Sequence, residues 1–140
     1  MQTWIIYALL SMLFAGFTSV IAKFGLKNVS GDLGLAIRTC TVFVLVWINT
    51  IAFKHYQQMG NLTQKDIMFL CISGLTTTLS WIFYYKAIKI GNVSEVALID
   101  KGSIIITLLL SFFILNEPFT MKVLVGAGLI MAGLLVLTIK

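Results

Sequence analysis

The sequence has little charge, one proline, one histidine and two cysteines in 140 residues. Only 11% of the residues are charged and 59% are hydrophobic, with a mean hydropathy of +1.02. About a quarter of an ordinary soluble domain is charged, so this scarcity excludes one. Cys40 and Cys71 lie in apolar stretches with neither a partner pattern nor metal-ligand spacing, and they read as small buried hydrophobes. The lone His55 sits in a polar loop, and no phosphate-binding glycine loop, catalytic triad or metal cluster stands out. No cofactor is expected. Nothing beyond ordinary polar residues offers a nucleophile and its base, which makes an enzyme the least supported class.

What the chain has instead is five apolar stretches, at 4–22, 33–53, 67–85, 94–115 and 119–139, each long enough to cross ~30 Å of hydrocarbon as a helix. The expected fold is all-α, an integral membrane bundle of five transmembrane helices forming one domain over 1–140. The first stretch lacks the basic start of a signal peptide and is followed by four more spans, so it reads as a retained helix. Short polar connections separate the spans, with no low-complexity segment. Thr63 and Asp66 have the spacing of a capping box, Gly91 to Glu95 repeats that logic, and Pro118 suits the first turn of the last helix. The net charge of +5 belongs to loops and helix ends, where lipid head groups explain it better than nucleic acid does.

An odd number of spans puts the two ends of the chain on opposite sides, A for the N-terminal side and B for the C-terminal side. Lys23, Arg38, Trp81, Tyr84, Asp100 and Lys101 then fall in one layer near side B, on the order of 7–10 Å deep. On helical wheels Ser73, Thr77, Ser80, Trp81 and Tyr84 share one face of the third span, opposite Leu75, Leu79, Ile82 and Phe83. Asp100, Ser103, Thr107 and Ser111 make a polar stripe on the fourth. Arg38, Thr41 and Asn49 line up on the second, and Met12, Gly16, Ser19 and Lys23 on the first. Charges within hydrocarbon are costly unless paired or hydrated, so these faces are expected to meet a shared interior. A structural account competes for each: Lys23 and Lys86 lie near enough to the surface to snorkel, Asp100 can neutralise Lys101 or Arg38, and the aromatics fit an interfacial belt. The last span differs. Gly126, Gly128, Ala132 and Gly133 let another helix approach closely, and a partner chain is the natural candidate.

The stretches SWIFYYKAIKIGNVSEVALIDKGS and LLLSFFILNEPFTMKVLVGAGLIMAG resemble the second half of an EamA-type domain of the drug/metabolite transporter superfamily. LLSMLFAGFTSVIAKFGLKNV and LAIRTCTVFVLVW resemble its first two helices, so the likeness covers essentially the whole chain. It is similar in particular to single-domain members with five helices, in which Lys23, Arg38, Ser80-Trp81, Tyr84-Tyr85, Asp100-Lys101 and the Asn-Glu-Pro turn occupy the motif positions. Larger members carry two such domains as inverted halves around a central pathway. The resemblance implies a transporter and names no substrate. The related small multidrug resistance proteins bind cationic drugs through a glutamate in the first helix, and the first helix here has no acid.

Lys23, Arg38 and Lys101 outnumber Asp100 in the shared layer, which favours an anionic or zwitterionic metabolite over a lipophilic cation. The expected function is a membrane carrier working by alternating access. Asp100 would couple charge or protons, Arg38 and Lys101 would be counter-ions or anion contacts, and Trp81, Tyr84 and Tyr85, with Thr77 and Ser103, would line the path. The alternatives are a non-transporting structural or lipid-binding subunit and an exporter of cationic drugs. One chain supplies a polar layer near one surface only, so the expected assembly is an antiparallel homodimer, with the small residues of the last span in its seam. Flanking lysines number three on side A (Lys54, Lys65, Lys122) and five on side B (Lys23, Lys27, Lys86, Lys89, Lys140), a weak bias compatible with insertion both ways. Counting Arg38 and Lys101 as well makes side B cytoplasmic and favours a parallel dimer or pairing with a different inverted partner. The expected location is a cell membrane, bacterial or archaeal inner, crossed several times.

Overall fold

A computed structural model describes residues 3–138, and among them it contains helices and no strand. The elements are α1 (Thr3–Gly25), α2 (Gly31–Ala52), a 3-10 helix (His55–Asn61), α3 (Gln64–Ile90), α4 (Val93–Asp100), α5 (Ser103–Leu115) and α6 (Met121–Thr138). The expected end of the last span at Ile139, and the flanking Lys140, lie outside the described residues. Among the described residues four stretches are long and apolar enough to cross a bilayer: α1, α2, α3 and the run Val93–Leu115; the apolar part of α6, Met121–Val136, is shorter. The protein is therefore an all-α membrane bundle, as its composition predicts. It divides into two compact units, one ending at Ile90 and the other beginning at Gly91.

In the first unit the helix starts follow from local chemistry. Ser30 caps α2 by accepting the Leu33 amide at 3.2 Å. Before α3, the Thr63 amide donates to the Asp66 carboxylate at 3.0 Å and the Asp66 amide to the Thr63 hydroxyl at 3.3 Å, the reciprocal pair that the spacing predicts. With 27 residues, α3 is longer at both ends than the apolar stretch alone suggests, at roughly 40 Å of helix. Hydroxyls along the helices are satisfied by their own backbone: Thr18 donates to the Phe14 carbonyl, Thr39 to Leu35 and Thr77 to Ser73, each at 2.8 Å. Such bonds let a hydroxyl sit in hydrocarbon without an outside partner.

Few apolar side chains are buried within the protein. Leu26, Leu35, Tyr85 and Ile88 form a small core where the end of α1, the start of α2 and the end of α3 meet, while most large hydrophobics face outward. That is the pattern of a surface solvated by lipid, where outward apolar residues cost nothing. Two helices approach closely through their backbones at the same place. A Cβ on Gly31 would lie 2.9 Å from the Tyr85 carbonyl oxygen, so only glycine lets α2 begin against α3.

In the second unit the expected fourth span is not one regular helix. It stops at Asp100 and resumes at Ser103. Around the break the amides of Lys101, Gly102, Ile104 and Ile105 bond three residues back, to Leu98, Ile99, Lys101 and Gly102, at 2.9–3.1 Å. The helix is thus overwound at the point where acid and base stand side by side, a feature that often marks a hinge or a functional turn. The α5–α6 connection also departs from expectation. Asn116 ends α5 in the left-handed conformation, and α6 begins only at Met121, so Pro118 lies in the connection rather than in the first turn of the last helix. Ser111 hydrogen-bonds the Glu117 carboxylate, and the Phe112 and Phe119 rings stack at 4.6 Å, folding the connection back on α5.

Candidate substrate site

Of the residues expected near side B, Lys23, Arg38, Trp81 and Tyr84 come together at one end of the first unit, where Lys23 and Tyr84 tie helices to each other, while Asp100 and Lys101 lie in the second unit. Lys23, in the last turn of α1, donates through Nζ to the Ile88 carbonyl at 2.6 Å and to the Lys89 carbonyl at 3.3 Å. Lys89 returns the interaction, its Nζ donating to the Leu26 carbonyl and, at 3.0 Å, to the Lys27 carbonyl. The last carbonyls of a helix lack intrahelical partners and carry the negative end of its dipole, so each lysine caps the helix opposite its own. Beside this clasp the Tyr84 hydroxyl donates to Ser19 Oγ at 2.7 Å, a second tie between α3 and α1. Lys86 pairs with Asp32 in the first turn of α2 at 3.5 Å, an exposed ion pair of small energetic consequence.

Arg38 stands apart from these ties. It follows Gly31, the first residue of α2, by seven positions, or about 10 Å of helix rise. Its guanidinium carbon lies 4.2 Å from the centroid of the Trp81 ring and 5.7 Å from that of Tyr85. A guanidinium is planar and weakly hydrated, so stacking on aromatic faces offsets part of its desolvation, by about 0.5–2 kcal/mol per favourable contact. It does not satisfy the N–H groups. Nη1 is buried with no hydrogen-bond partner among the described residues.

Arg38 and Tyr85 line a cleft of about 410 Å³ together with Ala22, Ile37, Leu26 and Val29. A second groove, between α2 and α3, is almost wholly apolar and includes Phe43 and Ile82. Ile82, on the face of α3 opposite Trp81 and Tyr84, is half-buried there, while Leu79 and Phe83 on the same face are exposed. Thr77, Ser73 and Ser80 are exposed, with the Thr77 hydroxyl committed to the Ser73 carbonyl.

In the second unit Asp100 pairs with the adjacent Lys101 at 3.8 Å, both partly exposed at the break in the span. Ser103 opens α5 and is exposed, its carbonyl accepting the Thr107 hydroxyl at 3.0 Å. On α6, a Cβ added at Gly126, Gly128 or Gly133 would meet nothing within 4 Å, and Gly128, Ala132 and Gly133 are exposed.

Taken together, this is a lipid-facing helical protein with an aromatic-clamped cation inside one helix and an ion pair at a break in another. The profile of the EamA-like transporter family matches residues 2–139. The chain belongs to that family. It is similar to a protein from Sinorhizobium sp named "Uncharacterized transporter in cobO 3'region", with 33% identity over 138 residues, covering 99% of this chain and 98% of the relative. No solved structure matches it. Family and span pattern together make this EamA-family chain a multi-pass membrane transporter.

Sequence reasoning missed the other half of the clasp, Lys89, and the apolar floor of the Arg38 cleft. A basic residue in the last turn of α3 was the available signal for the first, since such residues seek terminal carbonyls. Ala22 and Ile37 carried no signal, because an apolar residue facing a cleft looks the same in sequence as one facing lipid.

Proposed function

We propose that this EamA-family transporter carries a small anionic or zwitterionic metabolite by alternating access, as an antiparallel pair of chains. One observation carries the reading: Arg38, clamped by Trp81 and Tyr85, keeps a buried N–H edge without a protein partner. A cation held this deep in hydrocarbon is expensive until an anion completes it, and a substrate carboxylate or phosphate does so through the fork of N–H groups. Trp81 and Tyr85 fix the fork, so the site is organised before the ligand arrives. Asp100 and Lys101, at the overwound turn, supply a second charge pair that substrate or a coupling ion can rearrange. A second, inverted chain would provide the matching site near the other surface, with Gly126, Gly128, Ala132 and Gly133 at the seam.

The test is counterflow in vesicles containing the purified protein, with anions, zwitterions and cations offered in parallel. Anions or zwitterions should exchange, cations should not, and Arg38→Gln should abolish exchange while the protein still inserts. Exchange of cations alone refutes the reading. Reporters fused at Lys140, one active only in the cytoplasm and one only outside, check the assembly: comparable signals support dual insertion, and a single-sided signal rules out the antiparallel homodimer.

A further inference from the structure

The cleft beside Arg38 has a polarity that says more than "anion". The one charged residue in its lining is Arg38, stacked near the Tyr85 ring, and Thr18 also lines it. The Thr18 hydroxyl proton is already given to the Phe14 carbonyl at 2.8 Å. The rest of its lining is mostly apolar: Ile21 and Ala22 on α1 and Ile37 on α2, with Ile21 and Ile37 largely exposed, and the buried Leu26 and half-buried Val29 between the two helices. Among the described residues no carboxylate lines it; Asp32 belongs to the other groove. A volume of about 410 Å³ accommodates far more than a carboxylate, since a dry apolar cavity of roughly 150 Å³ already holds a benzene ring.

These facts select among anions. A small, densely polar anion would satisfy Arg38 and leave the apolar walls unfilled. A zwitterionic amino acid would bring an ammonium next to a guanidinium with no acid to receive it, at a desolvation cost. We propose that the cleft is a substrate subsite for monoanionic organic acids carrying a branched or aromatic apolar body, with the carboxylate on Arg38 and the body against Ile21, Ala22 and Ile37. This rests on the transport reading above and narrows its substrate class.

The experiment is titration calorimetry of the full chain in nanodiscs of uncharged lipid at neutral pH, with acetate, 4-methylpentanoate and leucine, which is the 2-amino derivative of the second. 4-Methylpentanoate should bind at least about tenfold more tightly than either of the others, because even one methylene in an apolar pocket is worth that much. Ala22→Phe, which fills the cleft, should erase the preference over acetate while acetate still binds; Ala22→Val is the milder filling if the first variant does not insert. Equal binding of 4-methylpentanoate and leucine, an unchanged preference in the filled variant, or equal weakening of both acids would overturn the subsite. So would loss of 4-methylpentanoate binding when anionic lipid replaces half of the disc, since lipid would then be the occupant. Failure of every anion to bind, with binding of a lipophilic cation such as tetraphenylphosphonium, would instead refute the transport reading itself.

Discussion

Replacing Lys23 with methionine tests whether this residue serves the helix ends or the substrate. Methionine keeps an unbranched stem of similar length, so α1 loses the ammonium and little else. The ammonium makes a strong bond of 2.6 Å to the Ile88 carbonyl and a weaker one of 3.3 Å to the Lys89 carbonyl. Hydrogen bonds from charged groups are worth about 1.5–3 kcal/mol in soluble proteins, whereas interhelical bonds in bilayers average nearer about 0.6 kcal/mol. The clasp lies at the helix ends, between those regimes, and the α3 dipole adds about 0.3–1 kcal/mol. Lys23→Met should therefore destabilise by about 1–3 kcal/mol, on the order of 5 °C in a chain of this size. Lys89→Met should cost a similar amount. The double variant should depart from the sum of the two, because both bonds fix the same pair of helix ends. The assay is thermal unfolding in detergent, followed in parallel with counterflow at a temperature where all variants remain folded. Melting of Lys23→Met at the wild-type temperature would refute the clasp; loss of counterflow in a variant that melts normally would return Lys23 to the substrate path.

Three further outcomes follow from the same geometry. Gly31→Ala should lower stability by about 1–3 kcal/mol, because the added Cβ meets backbone that cannot swing away, and a melting temperature at or above wild type would refute that close approach. Tyr84→Phe should lose about 0.5–1.5 kcal/mol through the Ser19 bond with substrate affinity kept, and an affinity loss without destabilisation would place the hydroxyl on the substrate instead. Asp100→Asn should abolish transport while the protein still inserts and assembles; loss of folded protein in detergent would mark Asp100 as a structural partner of Lys101.

Length and apolarity dictate much of this protein without reference to any contact. Lipid supplies no backbone partners, so a stretch of about twenty apolar residues must become a helix. The sequence therefore determines the membrane class, the order of the helices and the caps at Ser30 and Thr63, whose bonds reach only three residues along the chain. It also places Lys23, Arg38, Trp81 and Tyr84 near one end of the first three helices. What it leaves open is the rotation of each helix against its neighbour. A helical wheel orders side chains around one axis and says nothing about which face another helix meets, so Ile82 reads as facing lipid or a partner chain and Lys89 as a flanking lysine. Only the tertiary structure gives Lys23 the carbonyls of α3, gives Lys89 those of α1, and leaves Arg38 stacked on Trp81 with one nitrogen unpartnered. The break at Lys101 and Gly102 was equally illegible. An apolar run reads as one continuous helix whether its amides bond three residues back or four, and the structure has them three back at this point.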